Sequence, residues 1–397
     1  MRVLIANDGF GDAGGVQTYL DAVMPALAGR GHQLALLHLS ADVFHESPAG
    51  HAGAGLRRIS VADRGAGRAL QDVRDWAPDV CFSHNMRDLD LERKLVDITP
   101  VVKFMHGYFG TCIGGQKMLQ FPAVVPCDRK FGPACLALYL PCGCGRRDPI
   151  AMLRYYGWAR HQRSRFPDYS AVVVASAHMK REYVRNGVNP ERVHVAPLFA
   201  REQFQSPSPA PSTPSLAFCG RMTTLKGGDV LIEAVAEASR AAAAQISLVM
   251  IGDGPQRAAW EQLALTLGVA ARFTGWLTGD ALWREFRNAT LLAVPSTWPE
   301  PFGLVGLEAG ALGVPAIAFD VGGVREWLRP GENGYVVSGD PPRASAFAAV
   351  LAEALRDPAT TTRMRDAARR VACEMSLARH VDRLEGILMG QRAAVTS

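Results

Sequence analysis

Residues 298–308 read Trp-Pro-Glu-Pro-Phe-Gly-Leu-Val-Gly-Leu-Glu, and this stretch carries two glutamates around the start of a predicted helix. The apolar run at 291–294 predicts a buried strand before it, and residues 304–312 predict a short helix that Gly313 ends. Glu300 then lies on the loop between strand and helix, and Glu308 lies about two turns into the helix.

The start of that predicted helix is suited to a phosphate-bearing ligand. Its first N–H groups have no partner within the helix and favour an anion, and Gly303 lets a ligand approach the backbone. The two carboxylates can accept hydrogen bonds from opposite ends of an elongated polyhydroxyl ligand. A capped helix with two surface glutamates is the alternative interpretation.

Length and composition indicate a globular protein of two domains. The chain has 397 residues, of which 48% are hydrophobic and 20% charged, and this composition excludes a largely disordered chain. A net charge of +5 tolerates an anionic ligand but gives no indication of nucleic acid binding. The polar N-terminus and the lack of a long apolar run predict a cytoplasmic protein, whose eight cysteines are then free or metal-bound.

Alternating apolar strands and helices predict an α/β fold with two parallel sheets that face each other across a cleft. The proline- and serine-rich segment 205–215 predicts a linker between an N-terminal domain, 1–204, and a C-terminal domain, 216–375. Strands of the first domain are predicted at 2–6, 33–39, 79–82, 101–105, 171–175 and 192–196. Strands of the second are predicted at 216–218, 246–251, 271–274, 291–294 and 316–319.

Polar residues follow several predicted strands, where open parallel sheets bind ligands. His84-Asn85 and His106-Gly107 follow two strands of the first domain, although a lone histidine is more often structural. In the second domain Arg221 and Lys226 lie beside glycines near a strand end, which suits a diphosphate. Ordinary surface charge is the alternative for these two cations.

Residues 107–150 form a predicted insert with little helical periodicity. Four thiolates can hold zinc and stiffen a segment with little core of its own, and the candidate ligands are Cys127, Cys135, Cys142 and Cys144. No C-x-x-C pair is present, so free or buried cysteines are the alternative. The insert also suits a lid or an acceptor-binding element.

Residues 146–166 carry six arginines with Tyr155, Tyr156 and Trp158 among them. A basic, aromatic helix of this kind can lie on an anionic membrane surface, with the inner membrane surface as the expected location. A solvated helix with a few buried aromatic side chains is the alternative.

The chain resembles retaining GT-B glycosyltransferases of family 4, and the resemblance covers almost its whole length. The N-terminal motifs are Gly14-Gly15, Asp79 with His84-Asn85, and His106-Gly107. The C-terminal motifs are Gly220-Arg221, Lys226-Gly227, Gly252-Asp253-Gly254-Pro255, Pro295-Ser296, Glu300-Pro301-Phe302-Gly303, Glu308, Gly322-Gly323 and Glu332-Asn333-Gly334. The family's architecture implies two Rossmann-like domains and a final region, 376–397, that returns to the N-terminal domain.

The resemblance also implies roles for individual residues. Arg221 and Lys226 would hold the donor diphosphate, and Glu300 would bind hydroxyls of the transferred sugar. His106 would contact this sugar near the reacting carbon, and Glu308 would bind the nucleotide ribose. The remaining donor contacts would come from Gly14, Gly15, Phe302, Gly303, Leu304, Val305, Gly275 and Trp276, and acceptor contacts from Gln17, His84 and Asn85.

The implied activity is transfer of a sugar from a UDP- or GDP-sugar to an acceptor hydroxyl, with retention of configuration and without a catalytic metal. The acceptor would be a sugar, a lipid-linked molecule or another small molecule. An epimerase or hydrolase on the same fold is one alternative, and a non-catalytic nucleotide-sugar-binding protein is another. The chain departs from the family at Ala196-Pro197-Leu198, where Pro-Asn-Gly is common, and at Leu377, where tryptophan is common.

Overall fold

The computed structural model describes residues 1–9, 15–39, 56–200, 211 and 213–393. Gly14 and most of the predicted linker 205–215 lie outside the described residues. Strands are β1 (Arg2–Asn7), β2 (Gln33–His38), β3 (Arg57–Ser60), β4 (Val80–Ser83), β5 (Val101–Met105), β6 (Met118–Leu119), β7 (Val125–Pro126), β8 (Ala171–Val174), β9 (Val193–Val195), β10 (Ser215–Cys219), β11 (Ser247–Ile251), β12 (Ala271–Gly275), β13 (Leu291–Val294), β14 (Ala316–Phe319) and β15 (Gly334–Val337).

The strands are interleaved with helices in the α/β pattern predicted from the sequence. The helices are α1 (Gly15–Gly29), α2 (Val61–Trp76), α3 (Leu89–Val96), α4 (Ala134–Tyr139), α5 (Pro149–Ser164), α6 (Ala177–Arg185), α7 (Gly228–Ala242), α8 (Arg257–Leu267), α9 (Gly279–Arg287), α10 (Leu304–Ala311), α11 (Ala344–Arg356), α12 (Pro358–Glu374) and α13 (Leu377–Ala393). Side-chain caps begin several of them. Ser176 accepts a hydrogen bond from the Met179 N–H at the start of α6.

Among the described residues, seven parallel strands form the first sheet in the order β3-β2-β1-β4-β5-β8-β9. The chain builds outward from β1 in one direction and from β4 in the other, so the order reverses between these strands. Ligands of open parallel sheets bind at the carboxyl ends of the strands at such a point. Asn7 ends β1, and His84-Asn85 directly follow β4.

Within the described part of the chain, the second sheet has six parallel strands in the order β12-β11-β10-β13-β14-β15. Its order reverses between β10 and β13. Gly220-Arg221 follow β10, and the loop that carries Glu300 follows β13. The predicted donor residues therefore surround the point where this sheet is expected to bind a ligand.

The last helix, α13, packs on the first sheet's domain although it follows the second in sequence. Its residues Val381, Leu384 and Leu388 are fully buried in the cluster that also contains strands β1 and β4. Polar contacts support this packing, since Arg30, directly after α1, pairs with Glu385 at 2.7 Å. The chain thus crosses between the two sheets twice. No helix of the described residues is long and apolar enough to cross a membrane.

The insert is more structured than its sequence indicates. It contains helix α4 and the antiparallel pair of β6 and β7. It also has a small core with α5, formed by Ile113, Phe131, Tyr139 and Ala159. The aromatic residues of α5 are half-buried against the protein, so they do not form an exposed face. The exposed apolar side chains near the start of α5 are instead Ile150 and Leu153.

Candidate active site

Lys226 and Glu300 meet where the strand order of the second sheet reverses. The Lys226 ammonium lies 2.6 Å from Glu300 Oε1. A Cβ on Gly227 would lie 2.1 Å from the carbonyl oxygen of Pro295, so only glycine permits this approach of the two loops. The close approach brings together a cation from the loop after β10 and a carboxylate from the loop after β13.

Glu300 is buried but remains ionised because of its neighbours. Burial by itself raises the pKa of this carboxyl group, but the Lys226 charge and hydrogen bonds from Lys226 and Ser296 hold the pKa below its usual value. The Ser296 hydroxyl donates to Glu300 Oε1 at 2.5 Å, and the Glu300 carbonyl accepts from the Gly323 N–H at 2.7 Å. The second carboxylate oxygen can therefore accept hydrogen bonds from a ligand.

Helix α10 begins directly after this loop and confirms the predicted helix. Gly303 precedes the helix with φ of +85°, a left-handed conformation that glycine adopts without strain. The Trp327 indole donates to the Phe302 carbonyl at 2.8 Å and fixes the turn. Leu304 and Val305 form the first helical positions, whose N–H groups suit an anion. Glu308 lies in the second turn and is 8% exposed, closer to the helix start than the sequence suggested.

The ends of β10, β11 and β12 lie side by side. The Gly252 N–H donates to the Gly275 carbonyl at 2.8 Å, and the Gly220 N–H donates to the Ile251 carbonyl at 3.0 Å. Arg221 is exposed beside this edge, and the Trp276 side chain is 61% exposed. An exposed indole at a strand end is suited to stacking on a planar base.

In the first domain, His84 and His106 form a pair. His84 Nδ1 lies 2.9 Å from His106 Nε2. Burial, with the nearby Lys103 charge, lowers the pKa of His106 to about 3. Burial, followed by the charges of His106 and Lys103, also lowers the pKa of His84. Both imidazoles are therefore neutral near pH 7 and can donate or accept a hydrogen bond without carrying charge.

A buried ion pair that was not predicted from the sequence lies beside His84. The Lys103 ammonium lies 2.7 Å from Glu92 Oε1, and it also donates to the His84 carbonyl. Both side chains are almost completely buried. The ion pair could have been predicted from the lysine in the middle of the apolar strand 101–105, because a buried lysine requires a partner.

Tyr108 joins the two halves of the site. Its hydroxyl donates to the Pro299 carbonyl at 2.7 Å, and its side chain is completely buried. Only two positions separate Tyr108 from His106, and Pro299 directly precedes Glu300. This contact joins the segment that follows His106 to the loop that carries Glu300. No local sequence pattern indicates this contact, because the two residues are 191 positions apart.

The residues predicted to contact the donor phosphate and the acceptor from the first domain lie near the ends of its strands and at the start of α1. Gly15 is the first residue of α1 and is exposed, and Gln17 donates to Asp21 Oδ1 at 2.7 Å. The Asn85 N–H donates to Asn7 Oδ1 at 3.1 Å, which joins the ends of β4 and β1. Thus Asn85 lies at the reversal point of the first sheet.

The predicted zinc ligands are not assembled as a metal site. Across the described residues, no three side chains of His, Cys, Asp or Glu are grouped to hold a metal ion. A small cavity is lined by Cys127, Cys135 and Cys144 together with Cys112, whereas Cys142 is not part of its lining. Burial and the neighbouring thiols raise the pKa of Cys144 to about 12, which disfavours the thiolate that a metal binds.

Two family models match this chain, one for each sheet. Residues 13–200 match the model described as Glycosyltransferase Family 4. Residues 199–371 match the model described as Glycosyl transferases group 1.

Curated relatives match parts of the chain. The D-inositol 3-phosphate glycosyltransferase of Salinispora arenicola is 38% identical over 180 residues, which are 43% of this chain and 39% of that protein. D-inositol 3-phosphate glycosyltransferase 1 of Catenulispora acidiphila is 34% identical over 218 residues, 50% of this chain and 51% of that protein. The chain thus spans about two fifths to one half of the length of these relatives.

Solved structures share the fold over almost the whole chain. HepE of Anabaena in complex with UDP and glucose has a TM-score of 0.72 at 17% identity, covering 98% of this chain and 100% of that one. Sucrose-phosphate synthase of Thermosynechococcus elongatus has a TM-score of 0.72 at 18% identity, covering 99% of each chain. These similarities show the GT-B fold, and the two glycosyltransferase family models together match residues 13–371 of the chain.

Proposed function

We propose that this protein transfers a sugar from a nucleoside diphosphate sugar to an acceptor hydroxyl, with retention of anomeric configuration and without a catalytic metal. The observation that carries the proposal is the contact between Lys226 and Glu300 beside the start of α10. A cation, a buried carboxylate and the first N–H groups of a helix therefore lie together at the point where the strand order of the second sheet reverses. This combination suits a ligand with a diphosphate next to a polyhydroxyl ring.

The diphosphate is the leaving group and gains negative charge as the bond to the sugar breaks. Lys226, the exposed Arg221 and the first N–H groups of α10 oppose this charge. Fixed groups of this kind accelerate a reaction because they are oriented before the charge develops. The chain thus supplies from its own residues the electrostatic stabilisation that the leaving group needs.

Glu300 is proposed to bind hydroxyls of the transferred sugar. Its carboxylate is ionised and held in place by Ser296 and Lys226, so it is a fixed acceptor for hydroxyl donors. Sugars that present hydroxyls at other positions do not supply the further hydrogen bond that this buried carboxylate can accept, and such a loss gives strong discrimination. His106 precedes Tyr108 by two positions, the Tyr108 hydroxyl contacts the loop of Glu300, and His106 is proposed to contact the sugar near the reacting carbon.

The nucleoside is proposed to lie along the ends of β10 to β12. Trp276 and Gly275 would flank the base, and Glu308 would bind the ribose. Gly14 and Gly15 would contact the phosphate from the first domain, and Gln17, His84 and Asn85 would contact the acceptor. The HepE structure contains UDP, which supports a nucleoside diphosphate in this type of cleft.

Retention is proposed to follow from attack of the acceptor on the face from which the diphosphate leaves. The acceptor oxygen forms the new bond to the anomeric carbon while the bond to the diphosphate oxygen breaks. The acceptor proton passes to the departing phosphate oxygen. His106 does not act as the acid in this scheme, because its low pKa keeps it neutral.

The start of α5 is proposed to contact an anionic membrane surface. The Ile150 side chain is 80% exposed and that of Leu153 is 58% exposed, and Arg146, Arg147 and Arg154 are exposed beside them. Apolar side chains with neighbouring arginines complement the apolar interior and negative headgroups of such a surface. The half-buried aromatics of α5 are not part of this contact.

The proposed function is tested with purified protein and a panel of UDP- and GDP-sugars. Diphosphate release that depends on an acceptor is expected from one of them, and it should persist after chelation of metals. NMR of the product should show the donor's anomeric configuration. An inverted anomer would overturn the retaining mechanism, and donor conversion without any acceptor would favour an epimerase or hydrolase.

A further inference from the structure

We infer that the acceptor carries a phosphate group and that it binds in a cavity between the insert and α5; this inference rests on the proposed transferase function. The cavity has a volume of about 710 Å³ and begins at His84 and Asn85, at the strand-order reversal of the first sheet. Its size is in the range of small-molecule sites. It lies on the acceptor side of the cleft, away from the donor residues that follow β10 and β13.

The charged side chains that line the cavity are all cationic. Arg87, Arg146 and Arg154 line it, and no aspartate or glutamate is among its lining residues. Arg87 is paired with Asp8 at 3.1 Å. In the described part of the chain, neither Arg146 nor Arg154 has a carboxylate partner, and Arg154 lies over the Tyr155 ring at 5.3 Å. Two arginines without acidic partners at one opening favour an anion with several acceptor oxygens.

The walls of the cavity are largely apolar and aromatic. Phe109, Tyr155 and Trp158 contribute rings, and Met86 and Ile113 contribute aliphatic surface. The Trp158 indole donates to the Arg87 carbonyl at 3.2 Å, and its ring meets the edge of Phe109, so this wall is fixed. Such walls accept the carbon face of a sugar ring or the first units of a lipid chain.

His84, which lines the cavity, carries a polar atom without a partner in the described part of the chain. His84 is completely buried, and its Nε2 has no hydrogen-bond partner within the described residues. Its Nδ1 is engaged by His106, which is proposed to contact the transferred sugar. A hydroxyl group of the acceptor satisfies His84 Nε2 and then lies next to the reacting centre. The phosphate therefore binds at the arginines, and the attacking hydroxyl lies towards the histidines.

Two kinds of molecule have this chemistry, namely a free sugar phosphate and a lipid-linked diphosphate. The exposed Ile150 and Leu153 lie on the same helix as Arg154, one turn or less away, so a lipid chain has an apolar surface to follow out of the cavity. A free sugar phosphate needs only the arginines and the aromatic walls. The test therefore compares both sources with their uncharged counterparts.

Binding is measured by calorimetry on the full chain with saturating UDP and GDP, so that the donor's diphosphate site is filled. The probes are two matched pairs: glucose 6-phosphate with glucose, and farnesyl diphosphate with farnesol in detergent. We expect the charged member of at least one pair to bind at least about tenfold more tightly than its partner, as a charge-assisted contact provides. The pair that shows the difference identifies the source.

The double variant Arg146→Gln, Arg154→Gln should lose most of this difference. The matched control is Arg160→Gln with Arg181→Gln, which removes two exposed arginines that do not line the cavity and should keep it. Equal binding of charged and uncharged probes, or the same loss in the control variant, overturns the inference. Failure of the transferase proposal is seen separately, as absence of diphosphate release from every nucleotide sugar.

Discussion

Lys226 Nζ lies 2.6 Å from Glu300 Oε1, so the cation proposed for the diphosphate and the carboxylate proposed for the sugar form one ion pair. The carboxylate is buried, whereas the lysine side chain is 29% exposed. Removing Lys226 therefore removes the charge that keeps a buried Glu300 ionised, in addition to removing a contact with the donor. The two residues are expected to act as a unit, and their single-variant effects should not add.

Replacing Lys226 with methionine should lower kcat by about 10²–10³-fold, the usual cost of losing one fixed electrostatic stabiliser. Lys226→Arg should recover part of the rate because it keeps the charge. Steady-state kinetics with the preferred donor give both values. The double variant Lys226→Met, Glu300→Gln should lose clearly less rate than the product of the two single losses, and a loss equal to that product would show that the pair does not act together.

Glu308→Gln should mainly raise the donor KM, by about tenfold, with a small change in kcat. A ribose contact stabilises the bound donor and the transition state alike, so its loss affects binding more than chemistry. Glu300→Gln is the contrast, because it should lower kcat and weaken discrimination between a sugar and its epimer. Comparable kcat losses in the two variants would contradict the assignment of Glu308 to the ribose.

The parallel strands and the helix α10 were predictable because their signals are local. Apolar runs such as 101–105 and 291–294 are buried on both faces and need no knowledge of their neighbours. The insert was not predictable in the same way. Its core joins Ile113, Phe131 and Tyr139 to Ala159, which are spread along the chain and show no helical period.

In the candidate site, too, the features set by neighbouring residues were predictable, whereas the contacts between residues far apart in sequence were not. The positions of Glu300 on the loop and of Gly303 at the start of the helix were predictable from the local pattern of strand, loop and helix. The pairing of His84 with His106 joins residues 22 positions apart, and the contact of Tyr108 with Pro299 joins the two domains. Such contacts depend on tertiary packing, which one sequence does not encode in any local spacing.

Folding stability should fall as pH is lowered from about 6.5, because buried histidines are neutral in the folded protein. Burial lowers the pKa of His106 to about 3 and that of His380 to about 4. Between these values and about 6.5 the unfolded chain binds protons that the folded chain does not. Each such histidine should therefore reduce the free energy of unfolding by about 1.4 kcal/mol per pH unit in this window.

His380→Gln should reduce this slope between about pH 5 and 6.5, where carboxylates contribute little. The His380 ring is hydrogen-bonded to the Tyr19 hydroxyl at 2.8 Å and to the Pro197 carbonyl at 2.7 Å, and glutamine can replace part of these contacts. The matched control is His161→Gln, since His161 lies at the surface. Urea unfolding at several pH values measures the slope, and equal slopes in all three proteins would contradict the predicted pKa shift.

Binding to anionic vesicles should depend on the exposed apolar residues of α5. Ile150→Ser with Leu153→Ser should weaken sedimentation with phosphatidylglycerol-containing vesicles by at least about tenfold, because burying each side chain contributes about 1.5–3 kcal/mol. Leu265→Ser is the matched control, as Leu265 is 76% exposed on α8. Equal binding to purely zwitterionic vesicles, or no difference between variant and control, would remove the membrane proposal.

Tyr108→Phe should reduce both stability and activity although it removes only one hydroxyl group. The variant leaves the buried Pro299 carbonyl without its 2.7 Å partner, which costs about 1 kcal/mol or more. Because Pro299 precedes Glu300, kcat/KM should also fall by about fivefold.

The control for this effect is Tyr335→Phe, whose hydroxyl lies 3.1 Å from Thr361 Oγ1 within the second domain. Tyr335→Phe should lose no more stability than Tyr108→Phe. It should also keep kcat/KM, because Tyr335 does not join the two domains. Thermal unfolding and kinetics on both variants distinguish the two effects. A Tyr108→Phe protein that loses stability but retains full kcat/KM would show that the contact supports folding and does not position Glu300.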